Sequence, residues 1–231
     1  MIGNRMLCLV MGYVFGLFQT GYLYGKTQHI DIREHGSGNA GATNTLRTLG
    51  AKAGLIVFLG DAGKTMLAML LAWLLFHNQY GGGVRLLAMY AGLGSVLGHN
   101  FPFYMKFKGG KGVACTAGFI LAFYPPMAPA CLLLFILVVA LTKYVSLGSI
   151  LVGICFFIQL LVYGQLGYLG IHKDLLPEAY ALGAAFMLLI LGRHHANIRR
   201  LLSGTENKFS MHKAGDREKK QRYYSRPGGR S

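Results

Sequence analysis

VACTAGFILAFYPPMAPACLLLFILVVALT, residues 113–142, decides how this chain is folded. The stretch is apolar almost throughout, yet Pro125 and Pro126 stand near its middle, and a proline ring ends or kinks a helix. Read as a helical hairpin it supplies two spans, 113–124 and 127–142, the first of them short. Read as one long kinked helix it supplies a single span, and every later segment changes sides.

Charge favours the hairpin. With it there are seven spans, near 4–24, 53–76, 85–98, 113–124, 127–142, 145–165 and 177–192, against the roughly 20 apolar helical residues that cross a bilayer. The segments 25–52, 99–112, 143–144 and 193–231 then share one side and carry 19 of the 23 Lys and Arg residues. The positive-inside rule makes that side cytoplasmic, with the N-terminus outside and the C-terminus cytoplasmic. Six spans would divide the basic segments between the two faces. Composition agrees with a membrane solvent: 53% hydrophobic residues, 13% charged and 33 glycines, with a mean hydropathy of +0.42. The expected fold is an all-α, polytopic membrane bundle of seven helices.

Several other classes are set aside. The net charge of +15 follows from the topological bias and from the tail HKAGDREKKQRYYSRPGGRS (212–231), so no nucleic-acid partner is expected. The expected division is a membrane domain, 1–208, and a basic, disordered cytoplasmic tail, 209–231, suited to anionic membrane lipids. The first residues have one early charge, Arg5, and no small-x-small cleavage site, and read as an uncleaved span. Cys8, Cys115, Cys131 and Cys155 lack CxxC spacing, so neither a metal site nor a disulfide framework follows.

Three polar segments remain to be explained, all on the cytoplasmic side of the seven-span arrangement. In GSGNAGATNTLRTLG (36–50), Gly36, Gly38 and Gly41 let the backbone approach a ligand, and Ser37, Asn39, Thr43 and Asn44 add neutral donors. Arg47 suits a two-pronged contact with phosphate. In GHNFPFYMKFKGGKG (98–112), His99 and Asn100 follow a span. Lys106, Lys108 and Lys111 then lead into a helix start at which the N–H groups of Gly110, Lys111 and Gly112 would face an anion. In RHHANIRRLLSGTENK (193–208), helical spacing puts His194, Asn197 and Leu201 on one face with Arg199 and Arg200 farther round, and Glu206 is one of only eight acids. Taken singly, each has a plainer reading: a glycine turn, a basic juxtamembrane loop, an interfacial helix with snorkelling arginines. Lys64 in GDAGKT (60–65) stands three residues from Asp61 within a span, where charges mark function. A Walker A loop is excluded, because position 58 is Phe where that motif needs Gly.

At these residues the chain resembles the integral-membrane acyl-phosphate:glycerol-3-phosphate acyltransferase family of bacteria, PlsY. The likeness runs through DIREHGSGNAGATNTLRTLGAKAG (31–54), LGDAGK (59–64), GHNFPFYMKFKGGKGVACTAG (98–118) and RHHANIRRLLSGTENK (193–208), and covers nearly everything but the tail. It implies transfer of a fatty acyl group from acyl phosphate to the 1-hydroxyl of glycerol 3-phosphate. The products would be lysophosphatidic acid and phosphate, made at the cytoplasmic face of the bacterial inner membrane without cofactor or metal. Soluble-type glycerolipid acyltransferases carry His-x4-Asp, and here Tyr104 stands five past His99.

Carried over by motif, the resemblance implies catalytic roles for Ser37, Arg47, Lys111, His194, Asn197 and Glu206. It places Gly109, Gly110 and Gly112 in the substrate-binding motif, and the chemistry of the residues themselves adds Gly38, Asn39, Gly41, Thr43, Asn44, Lys64, His99 and Lys108 as expected substrate-binding residues. Departures from the pattern are His195 in place of Arg, Cys115 in place of Thr and Thr65 in place of Gly. An activated donor needs no acyl-enzyme intermediate, so the site has mainly to position two anions. The proton acceptor is left among His194, His99, Glu206 and the leaving phosphate. A transporter of organophosphate anions would show a similar basic pocket, together with inverted repeats and polar residues through the outer half.

Overall fold

The computed structural model describes residues 2–209, and these are helical without a strand. The helices are α1 (Ile2–Gly16), α2 (Thr20–Thr27), α3 (Ala42–Leu49), α4 (Ala51–Tyr80) and α5 (Val84–Asn100). They continue with α6 (Val113–Phe123), α7 (Ala128–Thr142), α8 (Val145–Gln165), α9 (Leu176–Arg193) and α10 (His195–Leu202). Five stretches are long and apolar enough to cross a membrane: Ile2–Thr27, Ala51–Met105, Pro125–Thr142, Val145–Gln165 and Lys173–Arg193. The second of these contains both α4 and α5, and α6 is a shorter apolar helix. The basic tail lies outside the described residues, apart from its first residue.

Residues 113–142 form a hairpin. The chain leaves helical geometry at Tyr124 (φ −152°, ψ 89°) and makes a single 3-10 turn at Pro125–Met127. Pairings along α8 show the reversal. Phe119 and then Tyr124 meet Phe156 and then Tyr163, whereas Cys131 lies near Gln159 and Phe135 near Gly148. As α6 advances it climbs α8, and as α7 advances it descends. Phe119, Phe156 and Phe186 fill the space between α6, α8 and α9, with centroid separations of 4.2–6.0 Å.

The first span differs from the single helix expected over 4–24. It breaks at 17–19, and the fully buried Gln19 repairs the break: its Nε2 donates to the carbonyls of Gly16 (3.2 Å) and His99 (3.1 Å). In hydrocarbon, a freed carbonyl needs such a partner.

Glycines set the tightest contact. Gly12 and Gly16 on α1 face Gly94 and Gly98 on α5, each pair four residues apart. A methyl on any of them would strike backbone: Ala91, Ser95, Leu9 and Tyr13 respectively. Lipid is as apolar as Leu, so helices in a bilayer gain by close backbone approach. At the other end of α1, Arg5 grips Glu178 of α9 through both carboxylate oxygens (2.5 and 2.6 Å), and the Tyr90 hydroxyl of α5 donates to the same carboxylate (2.6 Å). These two contacts tie α1 to α5 and α9.

Candidate active site

All three polar segments line one cavity of about 390 Å³. The first contributes Ser37, Asn39, Gly41, Thr43, Asn44 and Arg47, the second His99, Lys111 and Gly112, the third His194, Asn197 and Glu206. One wall is α4, through Ala51, Gly54, Leu55, Phe58 and Asp61. That spacing is one helix face, and at 1.5 Å per residue the cavity runs about 15 Å along it. Phe135 and Val145 extend the apolar side.

The glycine-rich loop is shaped by Asn44. Its Nδ2 donates to the carbonyls of Ile32 (3.0 Å) and His35 (2.9 Å), and its Oδ1 accepts from the Ser37 N–H (2.8 Å). Gly36 and Gly38 take φ of +60° and +71°, a region L side chains rarely adopt, so the turn needs them. Asn39 Oδ1 accepts from the Gly41 N–H (3.0 Å) at the start of α3, whose first-turn N–H groups, those of Ala42 and Thr43, have no intrahelical acceptor.

The cations are arranged around one acid. Glu206 Oε1 accepts from Asn197 Nδ2 (2.8 Å) and the Ser146 hydroxyl (3.1 Å), and Oε2 accepts from Arg200 Nε (2.8 Å). Lys111 Nζ donates to Asn197 Oδ1 (2.6 Å). Burial pushes the Glu206 carboxyl up, but the hydrogen bonds from Asn197, Arg200 and Ser146 outweigh it, and the net shift is downward. Burial lowers Arg47, which has no ion pair among the described residues. Burial, opposed by Glu206, brings Lys111 down to about 8. His194 is pushed down to about 4, chiefly by burial and then by Lys111. It is therefore neutral at pH 7, and because its Nδ1 lies 2.8 Å from the Ile190 carbonyl, that nitrogen carries the proton and Nε2 is an acceptor.

Five residues expected to bind substrate lie off the cavity. Lys64 is enclosed behind it, donating to the Phe18 carbonyl (2.5 Å), Asp61 Oδ1 (2.9 Å) and His99 Nδ1 (2.9 Å). Lys108 points outward from an exposed loop beside Phe103, Tyr104 and Phe107, as residues at a membrane interface do. The N–H groups of Gly109 and Gly110 donate to the carbonyls of Asn100 and His99, so they are not free for an anion as expected for Gly110. Their own carbonyls accept from Arg193 (2.9 and 3.0 Å), which fastens the loop to α9. The Gly38 N–H donates to His35. Asn44 lines the cavity, but its side-chain atoms are all engaged in holding the loop, so it shapes the site.

Arg200 is a cavity residue that helical spacing placed away from it. The chain turns back after α10, and Glu206 accepts from both Asn197 and Arg200, which stand three residues apart on that helix. Ser146, Ser149 and Asp61 also line the cavity without having been singled out as binding residues. Of the departures from the family pattern, His195 is exposed with its Nδ1 2.8 Å from the Gly192 carbonyl, Thr65 bonds Ser95 (2.8 Å), and Cys115 is buried in the core.

Fold and cavity together define an integral-membrane helical protein built to hold anionic groups at one end of its bundle, against an apolar wall. A sequence profile described as Glycerol-3-phosphate acyltransferase matches residues 6–204. Glycerol-3-phosphate acyltransferases of Clostridioides difficile and Bacillus subtilis are 42% and 40% identical over 92% and 87% of this chain, and 98% and 96% of their own. The crystal structure of PlsY, an integral membrane glycerol 3-phosphate acyltransferase, in its glycerol 3-phosphate form matches with a TM-score of 0.76 at 35% identity, over 89% of this chain and 96% of that one. Its lysophosphatidic acid form matches with the same score at 34% identity, over 90% and 96%. This chain belongs to the glycerol-3-phosphate acyltransferase family, and it is an enzyme of acyl transfer.

Proposed function

We propose that the cavity carries a fatty acyl group from acyl phosphate to the 1-hydroxyl of glycerol 3-phosphate, releasing lysophosphatidic acid and phosphate. In this reading seven helices cross the bacterial inner membrane with the N-terminus outside. The cavity is cytoplasmic, 1–208 is the catalytic domain, and 209–231 is a basic tail near anionic lipid. The observation that supports it most is the meeting of Arg47, Lys111 and Arg200 beside an apolar wall, with Glu206 bonded to Arg200 and, through Asn197, linked to Lys111.

The cations and the first-turn N–H groups of α3 hold the phosphates of both substrates against their mutual repulsion, and Ser37 assists there. The hydroxyl is brought to the acyl carbon by position, with His194 Nε2 as its hydrogen-bond acceptor. A histidine at about 4 is a weak base, so the proton passes to the departing phosphate as the C–O bond forms and the acyl–phosphate bond breaks. His194→Ala is then expected to retain turnover within about tenfold while KM rises. Loss of turnover at unchanged substrate binding would instead make the histidine the base.

Lys111 gives a pH dependence. It is charged below about 8 and discharges above, so kcat/KM for glycerol 3-phosphate falls about tenfold per pH unit beyond that point. Lys111→Arg, which stays charged, removes the fall.

The reaction itself is tested with purified protein in lipid, palmitoyl phosphate and radiolabelled glycerol 3-phosphate, without coenzyme A. Lipid-soluble label together with free phosphate is expected. Label that only crosses the vesicle wall would mean a transporter.

A further inference from the structure

Asp61 lines the deep end of the cavity, where its chemistry is opposite to that of Arg47, Lys111 and Arg200. One of its oxygens is fully committed: Oδ1 accepts from Lys64 Nζ (2.9 Å) and the Thr20 hydroxyl (3.0 Å), with His99 Nδ1 at 3.6 Å. The other, Oδ2, is buried and has no hydrogen-bond partner among the described residues. A buried carboxylate oxygen left bare is destabilising and rare. Here the carboxylate is held by a lysine that is itself anchored on the Phe18 carbonyl, at the break in the first span. The arrangement fixes an acceptor at a cavity wall and leaves its partner to come from the ligand.

An ionised carboxylate accepts hydrogen bonds and cannot donate them, so it repels phosphate and ketone oxygens and takes an O–H. This inference rests on the reading above, in which the acceptor substrate is glycerol 3-phosphate. That molecule has two hydroxyls. The 1-hydroxyl must meet the donor's acyl carbon, next to the phosphate that the cations hold, and the 2-hydroxyl is the one left for the far wall. We propose that Asp61 Oδ2 accepts the 2-hydroxyl of glycerol 3-phosphate and so selects this acceptor over its 2-keto counterpart. Lys64 and Thr20 are positioning residues for Asp61, which accounts for a lysine at membrane depth that does not reach the cavity.

The test compares acceptors with palmitoyl phosphate as donor: glycerol 3-phosphate, dihydroxyacetone phosphate with a ketone at that carbon, and 3-hydroxypropyl phosphate with nothing there. In the wild type, kcat/KM for glycerol 3-phosphate is expected to exceed that for the deoxy compound about a hundredfold, the cost of leaving a buried acceptor bare, and that for the ketone about a thousandfold, because its oxygen also repels the carboxylate. Asp61→Asn presents an amide N–H that suits a ketone, and the first ratio should fall below about tenfold. A merely structural role would lower all three rates together and leave the ratios alone. Equal use of the three acceptors by the wild type, or an unchanged ratio in the variant, would overturn the proposal. Should Asp61→Asn fail to fold, Asp61→Asn with Lys64→Gln removes both buried charges and carries the same expectation. Wild-type protein that makes no lysophosphatidic acid from acyl phosphate would overturn the reading of the reaction, and this inference with it.

Discussion

Gly98→Val is expected to leave little or no folded protein. Its first side-chain carbon would strike the carbonyl oxygen of Tyr13 and press on Gly16, both backbone, so no rotamer change relieves the clash. Overpacking a core by extra methylenes already costs about 1–3 kcal/mol where side chains can yield, and here only separation of α1 from α5 gives room. Separation would also take away the Gly98 and His99 carbonyls that Gln19 satisfies. The measurement is the yield of monodisperse protein in detergent and its melting temperature. Gly63→Ala is the control: nothing lies within 4 Å of its new carbon, and alanine favours a helix by roughly 1 kcal/mol over glycine. Equal melting of Gly98→Val and the wild type would mean that α1 and α5 are not in backbone contact.

The second large effect falls on activity. Glu206→Ala is expected to lower kcat/KM by about a thousandfold while the protein still folds, the scale of losing a preorganised electrostatic element. Glu206 joins Ser146 of α8 to Asn197 and Arg200 of α10, and through Asn197 it fixes Lys111 at the start of α6. Without it Arg200 and Lys111 lose their shared anchor and repel each other and Arg47, so several phosphate contacts move at once. The fold survives because Arg200 is partly exposed and the helices of the bundle are held elsewhere. Glu206→Gln should recover little, since an amide cannot accept from Asn197, Ser146 and Arg200 together. Wild-type kinetics in Glu206→Ala, at unchanged melting temperature, would remove it from the site.

Much of this was legible in the chain because each inference used one local rule. Two adjacent prolines cannot continue a helix, and α6 and α7 part there. Runs of apolar residues located α4 through α9 to within a few residues at most boundaries. The three polar segments stood out because hydrocarbon tolerates no such composition. The glycine pairs at Gly12/Gly16 and Gly94/Gly98 also had a readable spacing, but among 33 glycines nothing local says which four meet.

What the sequence left open is where a residue's placement depends on a partner far along the chain. Lys108 and Lys111 are three residues apart in one basic loop, yet one faces outward and the other bonds Asn197, 86 residues away. Lys64 and Asp61, three residues apart, were readable as a pair, but the Phe18 carbonyl and the His99 ring nitrogen that complete the enclosure of the lysine come from other elements. Arg200 lies within α10, but its bond to Glu206 exists only because the chain reverses after that helix, which periodicity does not describe.

The sequence by itself determined the solvent, the apolar helices α4 to α9, the hairpin and the identity of the polar segments, since hydropathy, proline geometry and composition act within a few neighbouring residues. The tertiary structure alone decided which cations share a cavity, which N–H groups are already taken, and that Asp61 keeps one oxygen unpartnered. Those are properties of distances between α4, α5, α6 and α10, and such distances are set by how glycine faces and aromatic side chains pack, which no single segment contains.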